Sequence, residues 1–267
     1  MKKLAFILAL LTAAAIFAAI PVSAAPTDVL KGTPVLDGKI DDIYKLSATY
    51  TIDTTAKVYN SGAEYTDCPE LKATTYMLYD DKNVYIACEV TDATILSAGA
   101  DKVKAGYVWQ NDVTEFWISL DKGTTWGQFN MDAFGHGIGV GVPAAPFADA
   151  AGCKGAATKG TGSYITEVSF PHGGLKAGAE FCQQTQVNNI LVADASKIVC
   201  IGAQKVADRV FKLSATEAFI PKPETTTAAA AADAAPAKAA QTFDSAIIAL
   251  IPAALSAAAL VVIRKRK

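Results

Sequence analysis

Histidine is scarce here: His136 and His172 are the only two in 267 residues. They lie in different segments, with no carboxylate–histidine cluster around either, which argues against a zinc centre. The cysteines, at 68, 88, 153, 182 and 200, show no CxxC spacing. No Gly-x-Ser-x-Gly, phosphate loop or Cys–His pair with an orienting partner occurs. Asp112 and Glu115 stand three apart, with no second carboxylate set beside them in sequence, so glycosidase-type acid–base chemistry has little basis. The sequence reads as a non-enzyme. Cations are also short: 24 Lys and Arg against 26 Asp and Glu. Six of those cations (Lys2, Lys3, Arg264, Lys265, Arg266, Lys267) sit at the chain ends. The middle is therefore acidic and has no basic stripe, so nucleic-acid binding has no electrostatic support.

The two ends are where long apolar runs occur. Lys2 and Lys3 precede an apolar stretch from Leu4 to Ile20, and Val22-Ser23-Ala24 supplies small residues at signal-peptidase spacing. Residues 1–25 are expected to be a secretory signal peptide. From Ser245 to Ile263 no residue is charged, and Arg264–Lys267 follow at once. As a helix this run spans roughly 28 Å, enough for a hydrocarbon core. A basic cluster beside such a span stays cytoplasmic. The expected topology is single-pass in the cell membrane: a transmembrane helix over 244–263, a cytoplasmic tail at 264–267, and the main domain extracellular. Residues 221–243, rich in Pro, Thr and Ala, read as an extended linker. Signal peptide, spacer, helix and basic tail together suggest a Gram-positive bacterium. Outside the cell one or two disulfides could form, and five cysteines leave at least one thiol unpaired within the chain; Cys88, on an apolar strand, reads as core.

Residues 26–220 leave room for one domain, and its pattern is that of short strands. In "KATTYMLYDDKNVYIACEVTD" (72–92) two alternating runs flank an Asp-Asp-Lys-Asn turn. In "DVTEFWISLD" (112–121), Val113, Glu115, Trp117 and Ser119 share one face, and Thr114, Phe116, Ile118 and Leu120 the other. Further strands are expected at 126–135, 163–171, 185–194 and 209–214, and no long amphipathic helix is evident before residue 244. The fold class is all-β, an antiparallel β-sandwich of immunoglobulin-like or jelly-roll type, plus the C-terminal helix.

Five stretches, in order, resemble one family. They are "PVLDGKIDDIYKLSATY" (34–50), "YMLYDDKNVYIACEVTDATI" (76–95), "VWQNDVTEFWISLD" (108–121), "YITEVSFP" (164–171) and "VNNILVAD" (187–194). Together, over about 34–215, they resemble carbohydrate-binding module family 9, a DOMON-like sandwich. The resemblance implies a non-catalytic domain that stacks a glycan, or its end, on aromatic rings while polar groups meet its hydroxyls. In that pattern Trp109 and Glu115 match the tryptophan and glutamate of the ligand motif. Asn111, Asn188, Asn189 and Trp117 are further ligand candidates. Family members place a second clamping tryptophan late in the domain; here that region offers Phe211 and Phe219. The expected partner is therefore a polysaccharide or oligosaccharide.

The resemblance also implies calcium as a structural cofactor, with Asp37, Asp41 and Asp112 as candidate ligands through hard carboxylate oxygens. Two other readings stand beside sugar binding. One is a cell-surface structural or protein-interaction sandwich. The other is a haem-binding domain, for which Met77, Met131, His136 and His172 would be the axial candidates.

Overall fold

The computed structural model describes residues 25–104, 106–140 and 152–221. The leader through residue 24, the linker from residue 222, the 244–263 span and the basic tail lie outside the described residues. Among the described residues, no helix is long and apolar enough to cross a membrane.

Thirteen strands form the domain: β1 (Thr27–Lys31), β2 (Thr49–Asp53), β3 (Lys57–Ser61), β4 (Lys72–Tyr79), β5 (Asn83–Thr91), β6 (Val113–Ser119), β7 (Gly127–Asp132), β8 (Gly137–Val140), β9 (Lys154–Lys159), β10 (Ser163–Pro171), β11 (Glu180–Ile190), β12 (Ile198–Gly202) and β13 (Val210–Glu217). Hydrogen bonds connect them in the order β8-β7-β6-β11-β13-β1-β4-β5-β10-β9, with β12 and then β3 continuing from β11, and β2 beside β4. The ladder folds into two layers, β8-β7-β6-β11-β12-β3 and β2-β4-β5-β10-β9, which β13 and β1 join. Nearly all pairs are antiparallel. The exception is β1, which runs parallel to both β13 and β4. It comes from the start of the chain and reaches strands far away in sequence, as a parallel pairing requires.

Alternation along each strand decides what the layers bury. In β6, Phe116 and Ile118 point inward, as do Phe129 of β7, Val187 of β11 and Val199 of β12. Met77, Ile86, Val90, Val168 and Phe170 face them from the other layer. Phe129 and Phe170 meet edge-on at 6.2 Å between ring centroids. Each such side chain, fully buried, contributes about 1.5–3 kcal/mol. Cys68, Cys88, Cys182 and Cys200 are buried and unbridged.

The second layer is covered on its outside by residues 30–47. Leu36, Ile40, Ile43 and Tyr44 pack on Leu78, Tyr85 and Ala87. A buried carboxylate fixes this flap. Glu167 Oε2 accepts the backbone N–H groups of Asp37 (3.0 Å), Gly38 (2.7 Å) and Lys39 (3.2 Å). Gly38 makes that turn possible: its φ is +78°, and a Cβ there would lie 2.6 Å from Thr158 Oγ1. The Asp-Gly-x-x-Asp-Asp stretch is thus a staple between loop and sheet.

Candidate functional site

The outer face of the first layer is built from amides. Register places residues in rows across the strands, side by side on one face. One row runs Asp132–Val113–Asn188–Cys200–Tyr59. The next runs Ile138–Asn130–Glu115–Gln186–Gly202, and a third runs Gln128–Trp117–Gln184. Glu115 is at the centre. Asn188 Nδ2 donates to its Oε1 at 3.0 Å, and Gln128 Nε2 to its Oε2 at 3.0 Å. Gln204, from the turn after β12, reaches Oε2 at 3.5 Å. Burial raises the pKa of Glu115, and the hydrogen bonds from these amides oppose the rise.

One polar atom on this face, the acceptor Gln186 Oε1, is buried and has no hydrogen-bond partner among the described residues, while the Trp117 indole N–H is directed at the Glu115 carboxyl. Gln110 Oε1, beside Trp109 on the Val108–Gln110 turn, is a second unmet acceptor. Unmet acceptors beside Glu115 are what the hydroxyl donors of a polyhydroxyl ligand would satisfy.

The rings frame this face. Trp109 is half-buried; one part of it covers Ile190, Ile198 and Cys200, and Tyr107 stands edge-on to it at 6.2 Å. Its backbone oxygen accepts from Asn188 Nδ2 at 3.2 Å. Trp117 is 7% exposed, with the Lys205 ammonium 5.0 Å above its ring. Tyr59, at the end of the first row, is 55% exposed.

Of the sequence candidates, the structure brings Trp109, Glu115, Trp117 and Asn188 together. It places two elsewhere, away from that face. Asn189 points between the layers, because adjacent strand residues face opposite ways. Asn111 is wholly buried: its Oδ1 accepts from Ser97 and Ala98, and its Nδ2 donates to Asp132 at 2.6 Å. Sequence reading missed Gln128, Asn130, Gln184, Gln186, Gln204, Lys205 and Tyr59. The strand amides recur at period two, Gln128 with Asn130 and Gln184 with Gln186 and Asn188, but Gln183, Thr185 and Asn189 interleave the second set, so in β11 the period alone does not choose the face.

A sequence profile described as "Carbohydrate family 9 binding domain-like" matches residues 36–212. The chain belongs to that family. It is similar to two curated proteins over part of its length. One is "Exoglucanase XynX" of Acetivibrio thermocellus, 29% identical over 145 residues, which cover 52% of this chain and 12% of that protein. The other is "Endo-1,4-beta-xylanase C" of Paenibacillus barcinonensis, 33% identical over 97 residues, covering 36% and 8%. The chain thus spans about a tenth of these relatives' length. Its fold is similar to a family 9 carbohydrate-binding module from Caldicellulosiruptor kristjanssonii, solved with cellotriose (TM-score 0.54, 15% identity, 78% of this chain and 100% of that one). The same module solved with glucose gives a TM-score of 0.54 at 16% identity, over 73% and 98%.

Within this family 9-like domain the late phenylalanines do not serve as a second platform on the Glu115 face. Phe211 is core, stacked on Tyr50 at 6.1 Å. Phe219 is exposed beyond the end of β13. The exposed ring nearest in register to Asn188 is Tyr59.

Asp37 and Asp41, expected as cation ligands, are engaged within their own loop. Asp37 pairs with the Lys39 ammonium at 3.1 Å and accepts its backbone N–H; Asp41 Oδ2 accepts the Val35 N–H at 2.8 Å. Both are loop caps. Asp112 differs. It lies between the layers and accepts from the Leu96 and Ile190 backbones, and it faces Asp92. Burial raises both pKa values; Asp92 raises that of Asp112 further, while the hydrogen bond with Asp112 lowers that of Asp92. Around them lie the buried Thr114 Oγ1, Tyr164 OH and Asn189 side chain; Asp92 is hydrogen-bonded to Asp112 and Tyr164 to Thr114, and Asn189 Oδ1 has no hydrogen-bond partner among the described residues. The Asn189 amide oxygen beside two carboxyls is hard-oxygen chemistry of the kind Ca²⁺ takes. No group of three His, Cys, Asp or Glu side chains converges among the described residues, so a cation here would lean on the amide and hydroxyl oxygens.

The haem candidates are dispersed. Met77 and Met131 are wholly buried in the core. His172 holds the Asp80 carbonyl at 2.8 Å and accepts from Gly174 and Leu175. His136 pairs with Asp132 at 2.9 Å on the other layer. This placement gives a haem reading no support.

Proposed function

We propose that this chain is a non-catalytic module that binds carbohydrate on the Glu115 face. The observation that carries the reading is the set of amides gathered on Glu115, with the acceptors Gln186 Oε1 and Gln110 Oε1 unmet beside a half-exposed tryptophan. An aromatic ring covers the apolar C–H face of a pyranose, and the amides and Glu115 match its rim hydroxyls. Trp109 and Tyr59 are the rings we assign to stacking; Glu115, Gln186 and Asn188 make the polar contacts.

The relatives' printed ligands and activities guide the panel of sugars to try: cellotriose and glucose first, then xylan and cellulose fragments. Residues 1–25 would direct export, and 244–263 would anchor the domain to the membrane, facing outward over the 221–243 linker. Many copies on one surface would compensate for modest single-site affinity. Calcium, held by Asp92 and Asp112 with Asn189, would serve the fold at the far side of β11 from the sugar.

The test is calorimetric titration of the intact chain with that panel, repeated for Trp109→Ala and Gln186→Leu. Binding that both substitutions weaken by tenfold or more supports the reading. A second reading, a surface interaction domain, is favoured by the packing of Trp109 on Ile190, Ile198 and Cys200. Failure of the whole panel, with the chain folded, would leave that reading in place.

A further inference from the structure

The turn after β12 adds a charge to a face otherwise made of neutral amides. Lys205 sits there with φ +49°, one of three non-glycine residues in the left-handed region among the described residues. Such conformations persist where the surroundings hold them, and they cluster at functional sites. The turn is held on both sides. Gln204 reaches Glu115, and Gln184 Nε2 donates to the Val206 carbonyl at 2.7 Å and to Asp208 at 2.6 Å. Gly123 packs against Ala207, where a Cβ would come within 2.6 Å of the alanine methyl. The ammonium is thereby presented 5.0 Å above the Trp117 ring.

Its charge has no carboxylate partner in the ion pairs of the described residues. The neighbouring Lys122 is paired with Glu180 at 2.8 Å. Asp208 is occupied by Gln184 and followed by Arg209, whose guanidinium lies 4.2 Å from the Tyr50 ring centre. Glu115 is buried and shared among three amides. The turn therefore holds one unpaired ammonium over the Trp117 ring, on the side of the unmet Gln186 oxygen.

We infer that Lys205 is a specificity-determining residue that makes this face select glycans bearing a carboxylate, that is, uronic-acid-containing chains. This rests on the sugar-binding reading above. A sugar hydroxyl would meet Gln186 Oε1, and the sugar carboxylate would meet the Lys205 ammonium in a charge-assisted contact. A neutral sugar would instead have to compete with the ammonium for the tryptophan ring.

The experiment titrates the intact chain with tetragalacturonic acid, a glucuronic-acid-substituted xylotetraose, cellotetraose and xylotetraose. Wild type, Lys205→Gln, Lys205→Arg and Trp117→Phe are compared at low and high salt. The expected result is that an acidic tetramer binds at least tenfold more tightly than its neutral counterpart. Lys205→Gln should abolish that difference, Lys205→Arg should keep most of it, and salt should weaken only the acidic ligand. Neutral chains binding as well as acidic ones, with Lys205→Gln neutral or tighter, would overturn the role of Lys205 and mark it as a cover that the sugar displaces. Failure of all four tetramers, in wild type and variants alike, would instead overturn the sugar-binding reading beneath it.

Discussion

Asn188 donates its side-chain amide to Glu115 Oε1 at 3.0 Å, across the β11–β6 ladder and one row away. That bond is at once structural and functional. Removing Asn188 would leave a buried carboxylate oxygen without this donor and free the Trp109 carbonyl from its second contact. Asn188→Ala is expected to lower the unfolding free energy by about 1–3 kcal/mol, the cost of an unsatisfied buried group. Urea denaturation measures it; an unchanged midpoint would show that the bond does not support the fold.

The strand alternation of β6 was legible because its inner face is apolar: Phe116 and Ile118 could go nowhere else. The alternation of β11 was not. Gln183 and Thr185 face the interior as well, where the Tyr50 hydroxyl donates to Gln183 Oε1 at 2.6 Å and Thr75 to Thr185 at 3.1 Å. With polar residues on both faces, "QQTQVNN" shows no preferred side, and a one-residue shift exchanges Asn188 for Asn189. The covering turn at 203–208 had no sequence signal, since its place over Glu115 follows from tertiary packing. The five family-like stretches were readable because they are mostly strand or staple; β1, β2, β3, β8, β9 and β12 are short and were passed over.

Core and face should separate under mutation. Phe116 is fully buried, so Phe116→Ala is expected to cost about 3–5 kcal/mol through lost burial and a cavity. Tyr59 is largely exposed, so Tyr59→Ala should stay within about 0.5 kcal/mol of wild type. If Tyr59 is a stacking ring, that same variant should still lose sugar affinity. Thermal unfolding and calorimetry on the same samples give both readouts, and a Tyr59→Ala protein with full affinity would remove Tyr59 from the site.

The loop staple predicts a pH dependence. Burial raises the Glu167 pKa to about 7, against the opposing pull of the Gly38 and Asp37 N–H groups. A carboxyl with a raised folded pKa favours the protonated state in the fold. Its contribution is therefore fully present below the unfolded value of about 4.3 and is lost as pH rises through about 7. Thermal midpoints should fall between pH 5 and 8, and less so in Glu167→Gln. Equal slopes in the two proteins would sink this assignment. Gly38→Ala, which puts a methyl against Thr158 and the Ala157 backbone, should destabilise by at least about 1 kcal/mol at any pH.

Calcium offers the sharpest separation between the two sides of β11. Asp92 and Asp112 are two buried carboxyls in contact, and charging both would be costly unless a proton or a cation lies between them. Adding Ca²⁺ to chelator-treated protein should raise the thermal midpoint, because a ligand bound only by the folded state stabilises it by roughly 2.7 kcal/mol at a hundredfold excess over its dissociation constant. Asp112→Asn removes a carboxylate, and Asn189→Ala removes an amide oxygen that has no hydrogen-bond partner among the described residues. Both variants should lose the response to Ca²⁺, and Asn189→Ala should lose little stability in chelator. Asn188→Ala, one residue away but on the other face, should keep the Ca²⁺ shift while weakening sugar binding. A midpoint indifferent to Ca²⁺ would mean that the pair is held together by a shared proton, and stability would then decline steadily as pH rises above the usual carboxylate range.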